Sequence, residues 1–139
     1  MANKYIDVGS ICQVLGCLYN DPSLLEKTDK YTFDKDDFPS DFHKIAFQAI
    51  YNTYVAGNAK EMTLDVINSY LSGRPEQQAI YKVNRGDEFL LTAAEIANSF
   101  TFDYHYRRMK KFSLLRTYDR LGIDLKWYLN EDDLDVTKD

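Results

Sequence analysis

The sequence predicts an all-α fold: a compact bundle of about six helices with one long C-terminal helix. Three observations predict it. Proline, glycine and capping residues cut the chain into short blocks, and nearly every block repeats its apolar residues at the three- and four-residue spacing of a helix face. The one stretch in which aromatic residues alternate loosely with charge, from Asp29 to Pro39, is too short and too acidic for a strand. With 139 residues the chain can bury about two-thirds of its unfolded surface around one core, so a single domain is expected. Within it, residues 1–100 read as a globular helical body and 101–139 as a long helix or arm with an acidic tail.

In the opening block Ile11, Val14, Leu15 and Leu18 fall on one face, and Asn20, Asp21 and Pro22 stop the helix, because the residue before a proline is pushed out of the α region. Asp21 then caps a short second helix with Pro22 at its first position, where a missing N–H costs nothing, and with Leu24 and Leu25 inward. That helix ends near Thr28, and Asp29 to Pro39 follows as a loop anchored by Tyr31, Phe33 and Phe38. The pattern is strongest from Asp41 to Ala56. There Phe42, Ile45, Ala46, Ala49, Ile50 and Thr53 form one stripe, Phe47, Tyr51, Tyr54 and Val55 form a second, and Gly57 supplies a stop. A helix apolar on two faces is enclosed by others, so this one is expected at the centre of the core. Thr63 caps the next helix, with Leu64, Ile67 and Leu71 inside. Gly73, Arg74 and Pro75 break it and begin another, and Asn84, Arg85 and Gly86 make the next break before Phe89, Leu90, Ala93, Ile96 and Ala97. The last helix starts near Thr101 and is expected to run to Leu129, with Gly122 inside it at a cost of roughly 1 kcal/mol relative to alanine.

Along that last helix Leu114, Tyr118, Leu121, Leu125 and Tyr128 recur at alternating intervals of four and three residues, the seam of a helix that packs lengthwise on another. Two destinations for this seam stand open: the chain's own domain, or a protruding arm that pairs with another chain. Aromatic residues make up 14% of the sequence, mainly eleven Tyr and eight Phe, and such rings need a core or an interface. The net charge of −5 gives no overall field to attract phosphates, which disfavours an independent, non-specific nucleic-acid binder. That charge is unevenly placed. Between Tyr104 and Lys126 seven Lys or Arg stand against Asp119 and Asp124, whereas Glu131, Asp132, Asp133, Asp135 and Asp139 make an acidic tail, an asymmetry that points to a partner surface. Cys12 and Cys17 are too few for a disulfide framework and are poorly placed to bridge on one helix, which fits a reducing cytoplasm. No apolar run approaches the roughly 20 residues of a membrane span, and no signal-peptide pattern opens the chain, so a cytoplasmic protein without a membrane partner is expected.

A search for chemistry returns no catalytic, cofactor-binding or metal-ligating set. A P-loop requires glycines followed by Lys and then Ser or Thr, and no glycine here precedes a Lys; G-x-G-x-x-G is missing as well. His43 and His105 lie far apart and belong to no ligand cluster, so both read as helix-surface residues. Cys12 and Cys17 sit in an apolar helix, whereas a reactive thiol needs a positive, partly exposed setting. Asp34, Asp36 and Asp37 lack the spacing and distal Glu of a calcium loop and read as a solvated acidic loop. The run from Tyr104 to Phe112 mixes rings with cations as a single-strand binder does, but on a helix these residues distribute around all faces. Arg107, Arg108, Lys110, Lys111, Arg116 and Arg120 are therefore candidate contacts either for a protein's acidic patch or for nucleic acid.

Three stretches, taken in order, carry a family resemblance. The first is Val14-Leu15-Gly16, small or apolar residues, then Asp21-Pro22. The second is Asp37-Phe38 followed by His43, the central apolar helix and Gly57. The third is Tyr104 to Tyr106 followed by Lys111-Phe112-Ser113-Leu114-Leu115-Arg116. With their order and gaps they resemble the N-terminal domain of the DnaB-type replicative DNA helicases, bacterial or phage, over about Ile11 to Leu129. The chain departs from that pattern at Lys110, where the family usually has Glu, and the second helix of the family's hairpin is barely begun before Asp139.

The resemblance implies that the long C-terminal helix is the first arm of a protruding hairpin. It further implies a non-catalytic assembly domain that self-associates as a dimer or higher, hexameric in the full-length context, and that docks primase or a helicase loader, touching DNA only through the assembled helicase. In such a protein the ATP-dependent motor lies in a separate domain, so this chain is either an excised domain or a short protein that kept only this part. A nucleic-acid-binding accessory protein, or a stand-alone modulator of a helicase, is the alternative.

Overall fold

The structure is a computed structural model and describes residues 5–122. Among these residues it is all-helical: α1 (Val8–Asn20), α2 (Asp41–Tyr51), α3 (Leu64–Ser72), α4 (Pro75–Val83), α5 (Gly86–Ile96) and α6 (Phe102–Arg120), joined by short 3-10 turns at Pro22–Glu26, Lys35–Asp37 and Ser99–Thr101. The local reasons are the ones the sequence displays. Asp21 accepts from the Ser23 amide, Thr63 accepts from the Val66 amide, and Pro22 and Pro75 occupy first-turn positions. Two further caps were not anticipated: Asp7 accepts from the Ser10 amide to start α1, and Ser40 accepts from the His43 amide to start α2.

Helix α1 packs on α5, α6 and α2, while α2 packs in turn on α4 and α3. The central place expected of the Asp41–Ala56 helix is therefore shared with α1. All six residues of its first stripe are buried, Phe42 and Thr53 at the margin, but of the second stripe only Phe47 is buried: Tyr54 is half-buried against the core, and Tyr51 and Val55 are 40% and 44% exposed. Past Tyr51 the helix changes to a π turn at Asn52–Ala56, which shifts the residues within it, Val55 among them, out of register with the α-helical stripe. The loop over residues 27–38 is anchored as its aromatics require. Tyr31 meets Phe102 and Tyr106 edge-on, Phe38 stacks on Phe47, and the Tyr106 hydroxyl accepts from the Thr32 amide and donates to the Thr32 carbonyl.

The tightest contact lies between α1 and α5. A Cβ placed on Gly16 would sit 2.1 Å from the Ala93 carbonyl oxygen, so the two backbones touch where any larger residue would force them apart. At this distance the side chains of α1 reach the free carbonyls that end α5: Asn20 Nδ2 donates to Ala94 O at 2.8 Å and Gln13 Nε2 to Ile96 O at 2.9 Å. The Gln13 oxygen in turn accepts from the Asn98 amide, fixing the turn that leads into α6.

The expected run of the last helix to Leu129 requires correction within the described residues. Helix α6 ends at Arg120, Leu121 caps it, and Gly122 takes a left-handed φ of +80° with its amide bonded to Asp119 O. Glycine occupies that conformation without the Cβ penalty, so at this position it terminates the helix rather than riding inside it. The rest of the arm and the acidic tail lie outside the described residues.

Substituting Gly16→Ala should lower folding stability by about 1–3 kcal/mol, read as a drop in the urea midpoint, because neither backbone can yield to the added methyl. Gly73→Ala is the control: a Cβ added there would meet nothing within 4 Å and the residue's φ is −92°, so the midpoint should stay level or rise slightly.

Candidate interaction surface

Helix α6 carries most of the residues singled out by sequence, and the structure divides them by face. Its inward face is partly polar. Arg116, 6% exposed, donates from Nη1 to Tyr5 O at 2.7 Å and from Nη2 to Asp36 O at 2.6 Å, tying the chain's start and the acidic loop to one guanidinium. Lys110 Nζ lies 2.8 Å from Asp37 Oδ2, and Lys111 is 2% exposed. Arg108 Nε pairs with Asp7 Oδ2 at 2.7 Å and its guanidinium stands over the Phe112 ring. Only Arg107, paired with Asp103 at 3.0 Å, and Arg120, bonded to Thr117, keep largely exposed side chains among the six candidate cations.

Two expectations change with this arrangement. The cations Arg108, Lys110, Lys111 and Arg116 do not line a nucleic-acid track, because Arg108, Lys110 and Arg116 are turned onto named groups of the body and Lys111 is buried. The acidic loop is not simply solvated. Asp37 is 1% exposed, accepting from Lys110 and from the Asp34 amide, while Asp34 and Asp36 remain outside. A carboxylate so far from its partner in sequence leaves no local signal; the excess of cations in the last helix was the available hint.

The outward face of α6 is mixed, with two leucines among Arg107, Asp119 and Arg120. Leu114 is 43% and Leu121 70% exposed, and Tyr118 is half-buried against Tyr5, Phe112 and Leu115. The structure thus brings Leu114, Tyr118 and Leu121 onto one partly open row, while Leu125 and Tyr128 lie outside the described residues. Within this row Tyr118 leans on the body, and the two leucines do not.

The start of α6 holds a constellation that sequence reasoning missed. Ser10 Oγ stands 3.0 Å from Asp7 Oδ2 and 2.8 Å from His105 Nδ1. The carboxylate can only accept, so the single serine hydrogen goes to Asp7, and His105 Nδ1–H donates to the serine oxygen. These are the residue types of a hydrolase triad in the wrong order, with the serine in the middle and 1% exposed, so no nucleophile faces a substrate. The cluster instead staples the α1 N-terminus to α6. Burial alone would raise the Asp7 carboxyl, but hydrogen bonds from Arg108 and Ser10 outweigh it and hold the group below its ordinary range. Burial also pushes His43 and His105 below the ordinary histidine value of 6.5. His43 is more than a surface residue, since its Nδ1 lies 2.8 Å from the Ser40 hydroxyl that caps α2.

Cys12 and Cys17 are both free, and burial raises both thiols, which keeps them protonated and unreactive. Among the described residues no group of three or more His, Cys, Asp or Glu is placed to hold a metal ion, and no helix is long and apolar enough to cross a membrane.

With this geometry in place, comparison with known proteins adds one relative. The chain is 43% identical over 130 residues to the SPbeta prophage-derived uncharacterized protein YorI of Bacillus subtilis (strain 168), an alignment that takes in 93% of this chain and 25% of the relative. The chain therefore spans about a quarter of the length of the curated relative it matches. No protein-family model matches the chain, and no solved structure matches it.

Arg116→Ala should cost about 2–4 kcal/mol in urea unfolding, because it strips two carbonyls of their donor, whereas Arg116→Lys, which can reach one of them, should recover part of the loss. Stability should also fall with pH in two stages. The histidines are depressed in the fold, so the unfolded chain takes up protons first, and stability declines as pH drops through about 6.5. The Asp7 contribution is present above the ordinary carboxylate pKa of about 3.9 and is lost as pH falls through its lower folded value. Urea midpoints measured from pH 8 to 3 check both stages, and His43→Gln should shrink the first one.

Proposed function

We propose that the chain is a non-catalytic assembly and protein-interaction domain of a replicative DNA helicase serving phage DNA replication. It associates with copies of itself, as a dimer or larger ring and as a hexamer in the full-length protein, and it docks primase or a helicase loader. DNA is met only through the assembled helicase, and the motor chemistry belongs to another domain.

The observation that carries this reading is the row of Leu114 and Leu121, exposed with the half-buried Tyr118 between them, on a helix that Arg108, Lys110 and Arg116 fix to the body. A helix held so firmly cannot turn its leucines inward, and apolar side chains kept in water on a rigid element mark an interface. Three supports stand beside it. Elements that carry the three motif stretches meet in space: α1 packs on α2 and α6, and the carbonyl of Asp36, beside the second stretch, accepts from Arg116 of the third. The relative is prophage-derived, and its length beyond the aligned quarter leaves room for at least one further domain. A nucleic-acid accessory role has less support, since most of its candidate cations are engaged or buried within the body.

Sedimentation velocity of the chain over a wide concentration range tests the reading. Self-association is expected, and Leu114→Asp with Leu121→Asp should weaken it by about tenfold or more while helical content stays constant, since neither side chain contributes to the core. A chain that remains monomeric at high concentration, and whose binding to primase or helicase ignores both substitutions, would overturn the proposal.

A further inference from the structure

Away from the α6 row, a groove of about 600 Å³ opens between α1, the Pro22–Glu26 turn and the start of α6. That volume is ample for side chains of a docked segment. Its apolar lining includes Leu24, Tyr31 and Phe102, and at its edge stands Phe100, 96% exposed. Phe100 is not on a fraying loop. Its amide donates to Asn98 Oδ1 at 3.0 Å, and both the amide and the hydroxyl of Thr101 donate to Asn98 O, so a doubly bonded turn holds an aromatic ring in water beside an apolar cleft.

The charges around the groove are not equivalent. Asp103 is engaged by Arg107 and by the Tyr31 hydroxyl, and Asp21 by the amide and hydroxyl of Ser23. Lys27 and Lys30 also line the groove, both exposed, and among the described residues neither pairs with a carboxylate. Asp21 meets only neutral donors and Lys30 Nζ stands 5.4 Å from the Tyr31 ring centroid, so with Asp103 paired to Arg107 the two lysines exceed the remaining carboxylate by one charge at the rim of the cleft.

From this we infer that the groove docks an acidic segment of a partner protein, which places one apolar side chain against Phe100 and carboxylates against Lys27 and Lys30. A peptide is favoured over a nucleic-acid strand because Asp21 and Asp103 stand in the same groove. Discrete carboxylates can be set beside the lysines alone, whereas a continuous phosphate backbone would also meet the two aspartates. The inference does not depend on the helicase reading and uses none of the α6 row.

The test is an amide chemical-shift titration of the full chain with a capped ten-residue peptide of glutamates around a central Leu-Leu pair. A peptide with lysine in place of each glutamate and an oligothymidylate are titrated in parallel. Shifts confined to residues 17–31 and 97–103 are expected with the acidic peptide only. Lys27→Glu with Lys30→Glu should weaken binding about tenfold or more, and Phe100→Ser should abolish the saturable response while circular dichroism stays unchanged. No shift at the groove, an equal response to the lysine peptide, or a response to the oligothymidylate instead would overturn the inference. Concentration-dependent broadening of the same amides without peptide, lost in Phe100→Ser, would identify the occupant as a second copy and overturn it as well.

Discussion

The backbone contact between Gly16 and Ala93 is the constraint on which the rest of the architecture depends. A glycine in mid-helix gives up conformational entropy and packs no side chain, a cost of roughly 1 kcal/mol against alanine. In return α1 and α5 approach until the side chains of Gln13 and Asn20 bond the carbonyls at the end of α5, groups that a more distant helix would leave without a protein partner. Through Gln13 and Asn98 the same contact directs the chain into the Ser99–Thr101 turn and hence sets where α6 begins. One missing methyl thus fixes the entry of the helix on which the functional proposal rests.

Helix α6 partly inverts the usual distribution of residues on a surface helix. Beside the buried Met109, Phe112 and Leu115, Arg116 and Lys111 are buried as well and Lys110 is drawn inward, while Leu114 and Leu121 stand in solvent with Arg107, Asp119 and Arg120. The inversion is tolerable because the body offers acceptors at matching positions, Asp7 and Asp37 as carboxylates and Tyr5 and Asp36 through their carbonyls. Charge-assisted hydrogen bonds of this kind demand specific geometry, so they fix the rotation of α6 about its axis more tightly than apolar packing would. The rotation so fixed is the one that leaves the leucine row outside.

Most of the helices were legible in the sequence, because apolar spacing, Pro22, Pro75, Asp21, Thr63 and the Arg85–Gly86 corner are local signals that the fold obeys. The π turn at Asn52–Ala56 was not legible, since its residues continue an α-helical apolar pattern that the backbone abandons. Nor was the end of α6: glycine costs little enough inside a helix that position alone does not tell an interior Gly122 from a terminating one. The candidate site was half visible. Spacing found the row of Leu114, Tyr118 and Leu121, but the inward roles of Arg108, Lys110 and Arg116 depend on partners about 70 to 110 residues earlier in the chain, which no helical period encodes. The Asp7–Ser10–His105 staple escaped for the same reason.

Whether α6 is built into the body, rather than laid on it as a detachable arm, is tested most directly by native-state amide hydrogen exchange. Amides of residues 105–116 should exchange with the same free energy and denaturant dependence as those of residues 11–18 and 88–94, as one cooperative unit. Exchange of the α6 amides through a local opening of much lower free energy, with α1 and α5 still protected, would contradict the polar clamp and remove the reason for its exposed leucines.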